Sequence, residues 1–259
     1  MKRSELYSEL DKRFAPSYSC DWDNDGVMVC ADGERDVKRV LVSLDVSAEC
    51  VKRAVLGGFD LIVSHHPLIF RPLKRLRADI LDQKKVIDLI KNDVALFSFH
   101  TRMDSAPGGL NDRVARYLGM ENVLGVSLDG EGGVPARIGD VKERSPREFA
   151  QFVSDAFGAP VRLYDSKRPV KRVFSVSGGG RDFIFKALES GADAFVSGDL
   201  GYNDVLDALE AGMSVIELDH YSSEILCCDV FSELIDSLDP GINVESFTGV
   251  GSFTQILPR

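Results

Sequence analysis

Apolar residues along the chain fall into short continuous runs, and stretches with helical spacing separate one run from the next. Residues 38–46, 60–64 and 95–99 are dense in Val, Leu, Ile and Phe on adjacent positions. That is the pattern of strands buried on both faces. Between them, Ser47 can cap a helix ending near Gly57-Gly58, and 82–92 places Val86, Leu89 and Ile90 at helical intervals. Pro107-Gly108-Gly109 opens a further helix through Leu110, Val114 and Leu118. The sequence Asp129-Gly130-Glu131-Gly132-Gly133 is the best linker. Beyond it, Ser145-Pro146-Arg147-Glu148 is a capping box with proline at the first helical position, for a helix stopping near Gly158. The alternation then resumes: strand 172–177, helix 182–189, strand 193–197, helix 203–210 and strand 214–218. A long amphipathic helix over 220–238 and a strand near 244–247 close the chain. The pattern predicts an α/β protein whose largely parallel sheets are covered by helices.

The two halves read as a repeat. Shifting the second back by 133 positions brings Val173 onto Val40, Ala187 onto Ala54, Gly191 onto Gly58, Asp193 onto Asp60, Val196 onto Val63 and Ser197 onto Ser64. Internal self-similarity of this kind predicts two related α/β/α domains. We place them at 1–126 with 213–259, the metal-binding unit, and at 127–212. The copies differ at one point: the first ends Ser64-His65-His66 and the second Ser197-Gly198-Asp199. In open α/β sheets, ligands bind at the carboxyl ends of strands.

All four histidines of the chain lie in three short motifs. His65-His66 end a strand, and Pro67 biases the chain to turn there. His100 ends the third strand, four residues before Asp104, in a loop expected beside the first. His220 and Glu224 are spaced i, i+4 on one helix face. Imidazole with carboxylate is the donor set of borderline divalent ions. His65, His66, Asp104, His220 and Glu224 are therefore candidate ligands, more than one four-coordinate ion needs, which points to two ions bridged by a carboxylate. Zinc, iron, manganese, cobalt and nickel all suit the set. His100 can serve as a ligand, a supporting partner or an acid/base group, and the last two readings are favoured. Cys228 lies a further turn along on roughly the same face and is read as core. Gly178-Gly179-Gly180 after a strand could cradle phosphate on free amides, but a tight turn is the plainer reading. Trp22, in Asp21-Trp22-Asp23-Asn24-Asp25-Gly26, could stack on a base, but a half-buried structural tryptophan is the plainer reading.

Bulk properties narrow the function. A net charge of −10 argues against a protein that coats nucleic acid, but not against a phosphorylated ligand held through a metal ion. Five cysteines without a CxxC pair argue against a zinc ribbon and suit reduced thiols in the cytoplasm. The first residues lack an apolar leader, and no apolar run approaches membrane-spanning length.

Ser64-His65-His66-Pro67, the stretch from His100-Thr101-Arg102-Met103-Asp104 to Gly108-Gly109-Leu110-Asn111-Asp112, Ser197-Gly198-Asp199 and Asp219-His220-Tyr221-Ser222-Ser223-Glu224 occur in this order. With Trp22-Asp23-Asn24-Asp25-Gly26 they closely resemble the Nif-three-like family, also called GTP cyclohydrolase type 2 homologues. The resemblance runs nearly end to end. It implies a two-domain α/β fold built from a repeat, a ring-like homohexamer, and two divalent ions per subunit held by His65, His66, Asp104, His220 and Glu224, with Glu224 bridging. It also implies a hydrolase whose metal-activated water attacks a nucleotide-like substrate, with His100 shuttling protons. The alternative of a different class is a metal-delivery or regulatory protein whose ions are cargo. Arg102 and Met103 depart from the smaller or more polar residues expected there, and Asn203 stands where relatives often carry histidine.

Overall fold

The computed structural model describes residues 1–128 and 132–249, so of the expected linker only Gly132 and Gly133 fall within it. The first part of the chain runs α1 (Arg3–Arg13), β1 (Gly26–Val29), β2 (Arg39–Ser43), α2 (Ala48–Gly57), β3 (Leu61–Ser64), α3 (Leu81–Lys91), β4 (Ala95–Ser98), α4 (Thr101–Ser105) and α5 (Leu110–Tyr117). It continues through β5 (Glu121–Val126), β6 (Ala136–Arg144), α6 (Pro146–Phe157), β7 (Val161–Tyr164), β8 (Val170–Gly179), α7 (Ile184–Glu189), β9 (Ala194–Gly198), α8 (Tyr202–Glu210) and β10 (Ser214–Leu218). The described chain then closes with α9 (His220–Glu224), α10 (Cys227–Leu238) and β11 (Asn243–Phe247). Among the described residues, no helix is long and apolar enough to cross a membrane.

Two sheets form. One has the order β1-β4-β3-β2-β11, the other β5-β6-β8-β9-β10-β7. β2, β3, β4 and β11 are parallel, as are β8, β9 and β10, with antiparallel strands at the flanks. Successive side chains on a strand point to opposite faces, and the core divides accordingly. Val40, Val42, Leu61, Val63 and Phe97 of one sheet join Val173, Val196 and Ile216 of the other in one core, with apolar residues of α1, α5, α6 and α10. The intervening positions Leu41, Ile62 and Leu96 face α2 and α3, and Phe174, Phe195 and Val215 face α7 and α8. The architecture is α/β, with a sheet in each half, as the strand–helix alternation predicts.

The 133-residue repeat is visible in the hydrogen bonds themselves. Val40 pairs with Leu61 and Leu41 with Ile62; at the same shift, Val173 pairs with Ala194 and Phe174 with Phe195. One Asp60 carboxylate oxygen accepts the backbone N–H groups of Lys38 and Arg39 at 2.9 and 3.0 Å. Asp193 does the same for Lys171 and Arg172, at 2.9 Å each.

Several elements differ from expectation. The sheets divide the chain elsewhere than at the boundaries 1–126 with 213–259 and 127–212: β5 and β10, placed with the first unit, pair in the second sheet. The apolar pattern does not announce α1, β1, β5, β6 or β7. β5 is exposed almost throughout, and its Val123 and Leu124 stand in a short stretch broken by Gly125 rather than in a buried run. The stretch after His100 is the short helix α4 rather than a loop. Pro107-Gly108-Gly109 separates α4 from α5, and a Cβ on Gly109 would stand 2.0 Å from the Met103 carbonyl oxygen. The helix expected over 220–238 is divided between α9 and α10 at Ile225-Leu226, where Cys228 N bonds to Ile225 O in a tighter turn.

Candidate metal centre

The carboxyl ends of six parallel strands, three from each sheet, supply the site. His65-His66 follow β3, His100 follows β4, and Asp45 lies just beyond β2. Gly178 is near the end of β8, Asp199 follows β9, and His220 follows β10. The backbone keeps its pairing past the end of β3: His65 N donates to Ser43 O and His66 N to Leu44 O. Adjacent imidazoles would leave a straight strand on opposite sides. Here the two ring centres are 5.2 Å apart, and His100 lies 5.3 Å from His65 and 5.5 Å from His66. His220 is 5.4 Å from His66.

Every histidine turns its Nδ1 away from the centre, toward an acceptor. His65 Nδ1 donates to the Phe99 carbonyl at 2.9 Å, His66 Nδ1 to Asp45 at 2.8 Å, His100 Nδ1 to Asp23 at 2.9 Å and His220 Nδ1 to Asp199 at 2.7 Å. A carbonyl or carboxylate only accepts, so a proton sits on Nδ1 and Nε2 faces inward, offering a lone pair whenever the ring is neutral. Metal-ligating histidines are held in this way.

The inward atoms form two groups that could hold a metal ion: His65, His66 and His100, and His66, His220 and Glu224. Glu224 spans both. Its Oε1 is 3.9 Å from His65 Nε2, and its Oε2 is 3.0 Å from His66 Nε2 and 2.8 Å from His220 Nε2. Asp104 Oδ1 lies 3.6 Å from His65 Nε2. These contacts are close but not aligned as hydrogen bonds, so His65 Nε2, His220 Nε2 and Glu224 Oε2 are buried without a partner. Buried polar atoms without partners are rare, and an ion is one reason for them. The donor set therefore fits a divalent cation. All six residues singled out in the sequence converge here, with His100 in a ligand-capable group rather than only beside one.

Glycine makes room for the carboxylate. Gly178 has φ +64°, and a Cβ there would lie 2.0 Å from Glu224 Oε1. Its N–H donates to Ser223 Oγ at 2.9 Å, and Gly180 N bonds to Gly198 O. The first two glycines thus belong to β8, with Gly179 paired to Gly198, and only Gly180 lies past the strand, so the triple glycine is not the tight turn expected from the sequence. Gly198, the repeat counterpart of His65, must also lack a side chain, since a Cβ would meet the Gly178 and Leu218 carbonyl oxygens at 2.8 Å.

Burial lowers the His65 pKa to about 3. Burial also opposes charge on His66, but Asp45 and Glu224 outweigh it and raise that pKa to about 10. The Glu224 carboxylate close beside it, with Asp199, raises His220 to about 9, against burial. Burial next to the Glu224 charge raises Asp104 to about 7. Glu224 itself stays low because His220 and His66 outweigh its burial. On His100, burial is outweighed by Asp23, which raises its pKa.

The sequence reading missed the groups behind the ligands. Asp23, Asp45 and Asp199 each sit at or near a strand end or in an Asx-rich turn, the positions from which they reach a histidine. Asn111 links the halves: its Nδ2 approaches Asp104 Oδ1 at 3.4 Å and its Oδ1 accepts from Ser177 N at 2.8 Å. Arg102 is buried, with ion pairs to Asp11 at 2.7 Å and Asp25 at 3.0 Å, so the departure at this position braces α4 from beneath. Trp22 is 55% exposed, not half-buried structural packing. Cys228 is buried in the shared core, as expected, and Asn203 is exposed on α8.

The family model for Duf34/NIF3 (NGG1p interacting factor 3) matches residues 1–249. The chain belongs to the Duf34/NIF3 family. A relative from Clostridium perfringens named "GTP cyclohydrolase 1 type 2 homolog" is 35% identical over 86% of this chain and 87% of its own length. A relative of the same name from Methanocaldococcus jannaschii is 30% identical over 92% of this chain and 96% of its own length. The crystal structure of a Bacillus cereus protein related to NIF3 superposes with a TM-score of 0.87, covering 100% of this chain and 99% of that one at 21% identity, and so shares the fold. In this NIF3-family chain, the histidine and glutamate groups at the strand ends can hold a metal ion.

Proposed function

We propose that this chain is a dinuclear divalent-metal protein acting as a metal-dependent hydrolase on a nucleotide-like substrate. One observation carries the reading: the two oxygens of Glu224 face different histidines, Oε1 toward His65 and Oε2 toward His66 and His220. Such a carboxylate suits two neighbouring centres. His65, Asp104 and Glu224 would hold one ion, and His66, His220 and Glu224 the other. Bound there, divalent ions supply Lewis acidity and activate water near neutral pH. The chain's own residues supply the rest. Asp23 holds His100 on Nδ1 and favours its protonated form, so Nε2 can carry a proton to the substrate. Asp45 and Asp199 fix the rings of His66 and His220.

Metal analysis of the purified protein should find two ions per chain, and Glu224→Ala should remove both while the fold persists by circular dichroism. Two ions retained by Glu224→Ala would remove the bridge. Binding should also release protons, because His66, His220 and Asp104 hold them near neutrality in the metal-free protein. Affinity should therefore rise from pH 6 to 9, read with an indicator dye in weak buffer. The metal-free protein should show the opposite trend in stability. The raised histidines contribute fully below about 6.5, and that contribution is lost as pH climbs through their folded values of about 9 and 10. Incubation of the metal-loaded protein with GTP and other nucleotides should yield a hydrolysed product. No product from any of them would sink the hydrolase reading and favour metal delivery.

A further inference from the structure

Beside the centre lies an exposed aromatic pair, Trp22 and Phe70. Trp22, in the turn before β1, has its ring centre 6.1 Å from His100 and 6.2 Å from Phe70. Phe70 is in turn 6.4 Å from His100. Both rings are open to solvent, at 55% and 42% exposure. Trp22 and Phe70 meet edge-on, at 64°, so neither is closed against the other. The loops that carry them are tied together by Asn24 Nδ2 donating to Ile69 O at 2.5 Å. Exposed large aromatics next to one another cost hydrophobic free energy that burial elsewhere would recover.

Phe70 also begins a basic stretch. Residues 70–80 are all exposed and include Arg71, Lys74, Arg75 and Arg77. Arg77 is paired with Asp79 at 2.5 Å. Among the described residues, Arg71, Lys74 and Arg75 have no carboxylate partner in hydrogen-bond or ion-pair range, in a chain whose net charge is −10. Arg75 is five residues beyond Phe70, and five residues of chain span at most about 18 Å, so the backbones of all three cations lie within that reach of Phe70.

We propose that Trp22, Phe70 and the cations Arg71, Lys74 and Arg75 form a recognition platform for a planar aromatic ring carrying a phosphate, the ring stacking on the aromatic pair beside His100 and the phosphate meeting the basic stretch. Stacking on exposed aromatics tolerates any base, because each presents a π-face, and Arg or Lys supplies the anion contact. This names the substrate class of the hydrolase reading above. It rests on that reading for the chemistry, not for binding.

Trp22 is the single tryptophan of the chain, so its fluorescence reports on this place alone. Titration of the intact protein with adenosine 5′-monophosphate or phenyl phosphate should quench it saturably. Ribose 5-phosphate, which lacks the ring, and adenosine, which lacks the phosphate, should bind at least about tenfold more weakly. Phe70→Ala should weaken adenosine 5′-monophosphate about tenfold. The triple variant Arg71→Gln, Lys74→Gln, Arg75→Gln should weaken it by a similar factor and flatten its salt dependence, leaving adenosine unchanged. Absence of saturable quenching by either aromatic phosphate would overturn the proposal. So would unchanged affinity in Phe70→Ala, or ribose 5-phosphate binding as tightly as the aromatic phosphates. Cobalt(II) titration separates the two readings. Quenching by cobalt with no response to aromatic phosphates sinks the platform alone, whereas saturable aromatic binding with silence to cobalt sinks the metal reading and spares the platform.

Discussion

In the first βαβ unit, Leu61–Ser64 runs on into two imidazoles; in the second, Ala194–Gly198 runs on into an aspartate. Both units have the same strand register and the same aspartate accepting two backbone amides at the mouth of the helix–strand turn. The hydrogen-bonded frame has thus stayed fixed while the strand ends took on different tasks. The first unit supplies His65 and His66. The second supplies a groove-forming glycine, Gly198, and Asp199, which orients a histidine arriving from elsewhere in the chain. Frame residues answer to backbone geometry, and strand-end residues answer to the ligand.

That division can be broken deliberately. The largest effect is expected at Gly178, where a side chain faces both a left-handed backbone and Glu224. Gly178→Ala should cost about 1–2 kcal/mol for the conformation alone, seen as a lower melting temperature. Displacement of Glu224 should also empty the centre of metal. A variant that keeps its ions would show that the carboxylate does not need this space. Next come the orienting carboxylates. Asp199→Ala and Asp45→Ala should each weaken metal binding by roughly 10–100-fold, measured by competition with a chelator, with little change in thermal stability. A loss confined to Asp45→Ala would mean that the second unit merely scaffolds the site. The smallest effect is expected in the frame. Asp60→Asn and Asp193→Asn should each destabilise by about 1 kcal/mol in urea, by similar amounts, without lowering metal content. Unequal losses would show that the two frames are less alike than their hydrogen bonds suggest.

The sequence was most informative where a residue type has few uses. Four histidines at strand ends or a helix start could be placed together before any contact was known, and the Gly-x-Asp turns marked the repeat. What stayed hidden has a physical reason in each case. Asp23, Asp45 and Asp199 are ordinary loop aspartates until a histidine lies opposite, and only tertiary structure supplies it. β5 keeps only a short apolar stretch, interrupted by Gly125 and largely exposed, and β6 mixes Arg and Asp into its pairing positions. Arg102 looked like a misfit in its motif, yet burial against Asp11 and Asp25 makes it a brace. Trp22 is more open than a half-buried structural tryptophan, and nothing in the local sequence shows that Phe70 lies next to it.

The inner faces of the two sheets share one continuous core, with helices from both halves wedged between them. A chain severed between the halves would leave Val173, Val196 and Ile216 facing water, and would part His65 and His66 from Glu224 as well. Cohesion of the protein body and the gathering of these histidines with Glu224 therefore depend on the same seam, and whatever pries the sheets apart there scatters the donor set in the same motion.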